Sequence, residues 1–324
     1  MRDTECGLSD GAAATATLLA TILVEAPRFN ESAAMLEPRL RHVQCLAPEG
    51  LHRMAYWEWG DAENPRVLVC VHGLSRQGRD FDTLARALEG DFRVVCPDVA
   101  GRGRSDWLRT PSSYSIPMYV ADMVTLLARL DAREVHWVGT SMGGLIGLGL
   151  ASLEHSPIAR LVLNDVGPAI EYTALARIGT YLGMPAHWKT MDEAADQLRA
   201  ISLGFGPHSR EEWMALTLPQ AVADGDGFKP HYDPAIALPF RAITPELATA
   251  GEAMLWQSYD RVRCPTLVLR GADSDLLTRA TADAMAARGP RAALHEFAGV
   301  GHAPTLVHAD QIAVVRDFLL PQSP

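Results

Sequence analysis

The chain has 324 residues, enough for one large domain or two ordinary ones. Its 29 Lys+Arg against 39 Asp+Glu give a net charge of −10, and 48% of its residues are hydrophobic. Disorder as the main state is thereby excluded, and the acidity argues against nucleic acid or an anionic membrane as partner, since both need a clustered positive footprint. No stretch reaches about 18 uninterrupted apolar residues, so no transmembrane helix is expected.

At the N-terminus, Ala12–Val24 is a weakly apolar run of leader length. Arg2 stands there against Asp3, Glu5 and Asp10, so the positive flank of a secretory leader is missing. A short helix capped near Ser9-Asp10 is the plainer expectation, packing on the body or on a partner subunit. The five cysteines are Cys6, Cys45, Cys70, Cys96 and Cys264, an odd number without any Cys-x-x-Cys spacing. Cys70 and Cys96 sit inside apolar strand-like runs, where a thiol acts as a small hydrophobe. A reducing, cytoplasmic setting is expected, with no zinc or thioredoxin chemistry.

From Leu51 onward strand and helix signals alternate. Strands are expected at Leu51–Trp59, Arg66–His72, Phe92–Cys96, Glu134–Val138, Ala159–Leu163, Pro265–Arg270 and Ala292–Phe297. Helices are expected at Asp80–Leu88, Met118–Leu130, Met142–Leu153, Thr278–Ala287 and Gln311–Leu320. Such alternation predicts an α/β fold, a mostly parallel sheet with helices on both faces. Residues 168–256 break the pattern, showing only helical pieces interrupted by Gly and Pro. They hold nine aromatics in 89 residues against 13 in the other 235, about twice the density. An insertion of bulky apolar side chains between two strands reads as a helical cap over the sheet edge. The expected organisation is therefore an N-terminal extension over 1–40, a core over 41–167 and 257–324, and a cap over 168–256.

Chemistry concentrates at Gly139-Thr140-Ser141-Met142-Gly143. The G-x-S-x-G spacing follows one expected strand and opens one expected helix, which is the context a nucleophile elbow requires. A serine there occupies a strained turn, and the flanking glycines remove Cβ atoms that would clash as the backbone closes in. Serine needs a base, and histidine has a pKa suited to the task. Of the eleven histidines, His302 stands out, on a Gly-flanked loop (Gly299-Val300-Gly301-His302-Ala303-Pro304) after the last strand. A carboxylate must orient that imidazole. Asp273 and Asp275 follow the Pro265–Arg270 strand, and Asp165 follows Leu161-Val162-Leu163. The order Ser141…Asp275…His302 is a nucleophile–acid–base order known for one fold.

With these motifs in place, the chain resembles the α/β-hydrolase superfamily over nearly all of residues 40–320. Val71-His72-Gly73-Leu74 resembles the family's oxyanion loop, and the resemblance implies that the backbone N–H groups of Leu74 and Met142 form the oxyanion hole. His72 and Gly73 are expected beside the substrate, together with the cap tryptophans Trp188, Trp213 and Trp256. Arg270-Gly271-x-x-Ser274-Asp275 resembles relatives in which the later Asp is the acid, so Asp275 is preferred, then Asp273, then Asp165. Asp98–Asp106 resembles the family's loop after the following strand. It is a structural loop, lacking the third glycine and the Lys-Ser/Thr of a phosphate cradle.

The expected activity is that of a serine hydrolase cleaving a small or medium carboxylic ester through an acyl-enzyme. A lactonase, thioesterase, amidase or C–C hydrolase on the same residues remains an alternative, as does a slow-turnover ligand receptor. Meta-cleavage C–C hydrolases usually carry Asn before the serine and Trp after the histidine, where this chain has Thr140 and Ala303. No metal and no organic cofactor is expected. The expected partner is a small acyl substrate, with homo-oligomerisation left open.

Overall fold

The computed structural model describes residues 37–132 and 134–320. The expected N-terminal extension and helix lie outside these residues, apart from the last few positions before residue 41. Eight strands form one sheet in the order β1-β2-β4-β3-β5-β6-β9-β10. They are β1 (Arg39–Ala47), β2 (Gly50–Trp59), β3 (Arg66–Val71), β4 (Arg93–Pro97), β5 (Glu134–Thr140), β6 (Ile158–Asn164), β9 (Thr266–Gly271) and β10 (Ala293–Phe297). The β1–β2 hairpin and the β2–β4 pair are antiparallel, and every remaining pair is parallel.

Period-2 alternation explains why both faces are covered. On β3, Val67, Val69 and Val71 enter one core, while Leu68 and Cys70 enter the other. On β6, Leu161 and Leu163 take the first face and Val162 the second. The first face is packed by α2 (Ile116–Leu130) and α3 (Met142–Ala151) through Met123, Leu126, Ile146 and Leu148. The second is packed by α1 (Asp82–Leu88) and α10 (Ala309–Leu319) through Leu84, Leu88, Val315 and Leu319. Each such side chain contributes about 1.5–3 kcal/mol when fully buried, which makes the register of every strand costly to slip.

Two elements differ from expectation. The edge strand β1 buries only Val43, Cys45 and Ala47, alternating with exposed residues, so its apolar signal is thin. Between β6 and β9 lie α4 (Tyr172–Tyr181), α5 (Met191–Ile201), α6 (Arg210–Thr217), α7 (Ala237–Arg241) and α8 (Pro245–Arg261). The same segment also contains a small hairpin, β7 (Ala221–Asp224) with β8 (Gly227–Pro230), turning at Gly225 with φ +59°. The segment is therefore not purely helical, and α8 runs unbroken through residue 256. Among the described residues no helix is long and apolar enough to cross a membrane.

Candidate active site

Ser141 stands between the last residue of β5 and the first of α3, at φ +51° and ψ −114°, far from any ordinary basin for a non-glycine residue. The surrounding glycines make this backbone feasible. A Cβ on Gly139 would overlap the Gly143 carbonyl, and one on Gly143 would overlap the Val71 carbonyl of the neighbouring strand. Leu145 N and Gly144 N bond to the Ser141 carbonyl, anchoring the turn to α3.

His302 lies on the loop between β10 and α10. Its Nε2 is 3.1 Å from Ser141 Oγ, and its Nδ1 is 2.7 Å from Asp165 Oδ2. Asp165 follows β6 directly, and its backbone turns at φ +55°. The carboxylate is wholly buried and accepts two further hydrogen bonds, from Gly271 N at 2.9 Å and Ser274 Oγ at 2.6 Å. An acceptor so satisfied is fixed in place, and it sets Nδ1–H as the donor so that the other ring nitrogen faces the serine.

The preference for Asp275 is thereby corrected: Asp165 is the carboxylate at His302. Asp275 is 52% exposed and forms a two-pronged ion pair with Arg177 of α4, its oxygens 2.9 and 3.0 Å from Nη2 and Nε. Asp273 is exposed too, and its backbone N–H bonds the Val300 carbonyl. The last residue of β9, Gly271, and Ser274 of the loop after it thus hold the buried acid, and that loop supplies no acid of its own.

Leu74 and Met142 both line a cavity that Ser141 also borders. Met142 is the first residue of α3, so its N–H has no partner within the helix. Behind Leu74 lies Arg102, fully buried, which sequence reading passed over inside the Asp98–Asp106 loop. Its Nε donates to the Leu74 carbonyl at 2.9 Å, and its Nη1 donates to Ala100 O and Tyr119 Oη. Arg102 therefore fixes the loop carrying Leu74. The only local signal was an arginine among glycines.

His72 does not reach the substrate space. It is fully buried, with Nδ1 bonded to the Gly73 carbonyl and Nε2 accepting from Val99 N, and burial pushes its pKa well below the usual imidazole value. It ties two loops together, whereas Gly73 does line the cavity. Trp188 lines the cavity as expected. Trp213 is buried behind it, its ring stacked at 6.0 Å on Phe205, which is the residue at the wall. Trp256 lies elsewhere, under the Arg288 guanidinium at 4.4 Å and edge-on to Tyr259.

Two cavities meet at Ser141. One, of about 490 Å³, is lined by His302, Gly73, Arg76, Arg177, Tyr181 and Trp188 among others. The other, of about 360 Å³, is more apolar, walled by Met142, Leu145, Val166, Ile170 and Phe240. Leu74, Ser141 and Ile178 border both. Away from them, Cys45, His52 and Asp122 form a buried trio with ligand-type atoms close together. Burial and the Asp122 charge push the Cys45 thiol up to about 12, so it stays protonated at neutral pH.

A strand–serine–helix elbow, a buried carboxylate and a loop histidine at the carboxyl ends of β5, β6 and β10 are the hallmarks of one hydrolase class. The sequence profile of the alpha/beta hydrolase family matches residues 68–315, and the chain belongs to that family. The 3-hydroxybutyrate-oligomer hydrolase of Cupriavidus necator is 56% identical over 285 residues, covering 87% of this chain and 97% of that protein. Esterase YbfF of Escherichia coli is 25% identical over 261 residues, 79% of this chain and 94% of its own. The crystal structure of an alpha/beta hydrolase from Novosphingobium aromaticivorans superposes with a TM-score of 0.77 at 35% identity, covering 88% of this chain and 99% of that one. The present chain is accordingly a hydrolase of the esterase type.

Proposed function

We propose that this enzyme hydrolyses short linear oligoesters of 3-hydroxybutyrate through an acyl-enzyme on Ser141. The observation that carries the mechanism is the aligned set Ser141 Oγ–His302 Nε2–His302 Nδ1–Asp165 Oδ2, at 3.1 and 2.7 Å. The substrate class is supported by the 56% identity over almost the full length of a 3-hydroxybutyrate-oligomer hydrolase. Two cavities meeting at the nucleophile also suit an ester with carbon chains on both sides of the scissile bond.

In this reading Ser141 Oγ attacks the ester carbonyl while His302 Nε2 takes its proton. Asp165 steadies the imidazolium that results. The developing oxyanion is met by the N–H groups of Leu74 and Met142, each worth about 2.7–4 kcal/mol to the transition state. His302 then protonates the departing alkoxide, a water enters, and the same histidine deprotonates it as it attacks the acyl-serine. The segment 168–256 serves as a cap, since it supplies Arg177, Ile178, Tyr181 and Trp188 to the cavity walls. A reducing, cytoplasmic location agrees with the four described thiols being unpaired, three of them buried.

The test is a substrate panel on purified enzyme: linear 3-hydroxybutyrate dimer and trimer, p-nitrophenyl butyrate, a butyryl thioester and a butyramide. The proposal expects kcat/KM for the oligoesters to exceed those for the thioester and the amide, with p-nitrophenyl butyrate as the activated-ester control. A thioester or amide turned over faster than every oligoester contradicts it.

A further inference from the structure

The two cavities differ in a way that assigns the halves of the substrate. His302, which must hand its proton to the leaving oxygen, borders only the larger, more polar cavity. The alcohol half of the ester therefore departs into that cavity, and the acyl half lies against the apolar one beside Leu74 and Met142. In a linear 3-hydroxybutyrate oligoester the alcohol half is the half that ends in the free carboxylate. An anion must then be met in the polar cavity.

Two arginines line it. Arg76 is committed: its Nε and Nη2 bond both oxygens of Asp80 at 2.6 and 2.7 Å, and Nη2 also donates to the Leu216 carbonyl. Both partners of that pair are largely enclosed, at 13% and 17% exposure. Arg177 is held differently. Its partner Asp275 is a surface carboxylate, the pair is about half exposed on both sides, and both residues line the cavity. Ion pairs in such a setting are worth only about 0–1 kcal/mol, so another carboxylate can exchange into the same fork.

We propose that Arg177 is the specificity-determining residue that receives the terminal carboxylate of the leaving 3-hydroxybutyrate unit, with Asp275 as its resting counter-ion. This inference rests on the substrate class proposed above. It makes the enzyme one that removes units from the carboxyl end, the remaining hydroxyl-ended chain staying on Ser141 until water releases it. The step balances without a co-reactant. The Ser141 Oγ–acyl bond forms, the acyl–alkoxy bond breaks, and the serine proton passes through His302 to the departing oxygen.

The experiment compares 3-hydroxybutyrate dimer and trimer as free acids with the same oligomers as methyl esters, on wild type, Arg177→Ala, Arg177→Lys and Asp275→Asn. Wild type is expected to show a lower KM for the acid than for the ester. Arg177→Ala should raise KM for the acid about tenfold or more relative to the ester, with kcat moving far less. Arg177→Lys should recover part of that preference, and Asp275→Asn, by removing the competitor, should lower KM for the acid. Equal changes for acid and ester in Arg177→Ala, or no fall in KM with Asp275→Asn, overturn the assignment while leaving the substrate class standing. Should Arg177→Ala not fold, the Arg177→Lys and Asp275→Asn results decide. Wild type that cleaves p-nitrophenyl butyrate but none of the four oligomers contradicts the substrate class itself, and this assignment falls with it.

Discussion

At the scale of single residues, Asp165→Asn is expected to lower turnover of p-nitrophenyl butyrate by about 10⁴, because an amide favours the wrong His302 tautomer. Asp275→Asn should stay within about tenfold of wild type on that neutral ester, and a reversal of the two results returns the acid to the loop after β9. Ser141 and His302 were legible because their signals are local: a spacing around the serine, a Gly-flanked loop around the histidine. The acid was not. Three aspartates follow strand ends, and what separates them is non-local. Asp165 is chosen because β6 lies directly beside β5, and because Gly271 and Ser274, more than a hundred residues later, close around its carboxylate. Asp275 is left in solvent, where Arg177 of α4 reaches it. Arg102 was missed for the same reason, since its importance lies in the Leu74 carbonyl it holds.

At the scale of elements, the elbow is the tightest piece of the molecule. Gly143→Ala places a methyl group on the Val71 carbonyl, so β3 and α3 cannot keep their spacing. Such overpacking costs about 1–3 kcal/mol, and the expected result is a lower melting temperature together with loss of fluorophosphonate labelling at Ser141. Full labelling in Gly143→Ala would show that the turn is looser than the structure describes. Farther out, α6 begins with a complete capping box, Ser209 Oγ accepting from Glu212 N and the Glu212 carboxylate accepting from Ser209 N. Ser209→Ala should cost about 1 kcal/mol, read as the midpoint of denaturant unfolding, and an unchanged midpoint contradicts it. The parallel strands β3, β4, β5, β6 and β9 were readable because each carries a run of buried residues rich in Val and Leu, whereas β10 is mostly exposed and has no β-branched residue. β1 was not readable, as an edge strand with three buried side chains. The β7–β8 hairpin, four residues a side, was hidden in a stretch whose glycines read as helix breaks.

At the scale of the whole molecule, His231 joins the β6–β9 insertion to the loops at the sheet edge. Its Nδ1 accepts from Gly103 N at 2.8 Å, and its Nε2–H is directed to Gln220 Oε1 at 2.9 Å and Ser75 O at 3.2 Å. Burial pushes its pKa down to about 3. Above pH 6.5 it is neutral folded or unfolded. As pH falls below 6.5 only the unfolded chain takes up the proton, so stability is lost, approaching about 1.4 kcal/mol per pH unit, until the folded pKa is reached. Asp98, pushed up to about 6 by its burial, acts in the opposite sense between 3.8 and 6. Comparison with His231→Gln cancels that contribution. The variant should be less stable than wild type at pH 7, and the gap should shrink as pH is lowered to 5. A gap independent of pH contradicts a neutral, buried His231.

The central claim is that Ser141 opens 3-hydroxybutyrate esters with His302 as base and Asp165 behind it. The most direct measurement is the release of 3-hydroxybutyrate from the linear dimer by wild type and Ser141→Ala under identical conditions. Wild type is predicted to yield two molecules per dimer, and the alanine variant to fall by roughly 10⁶ in turnover, to background. Release by Ser141→Ala at a rate near wild type, or no release by either enzyme, contradicts the account.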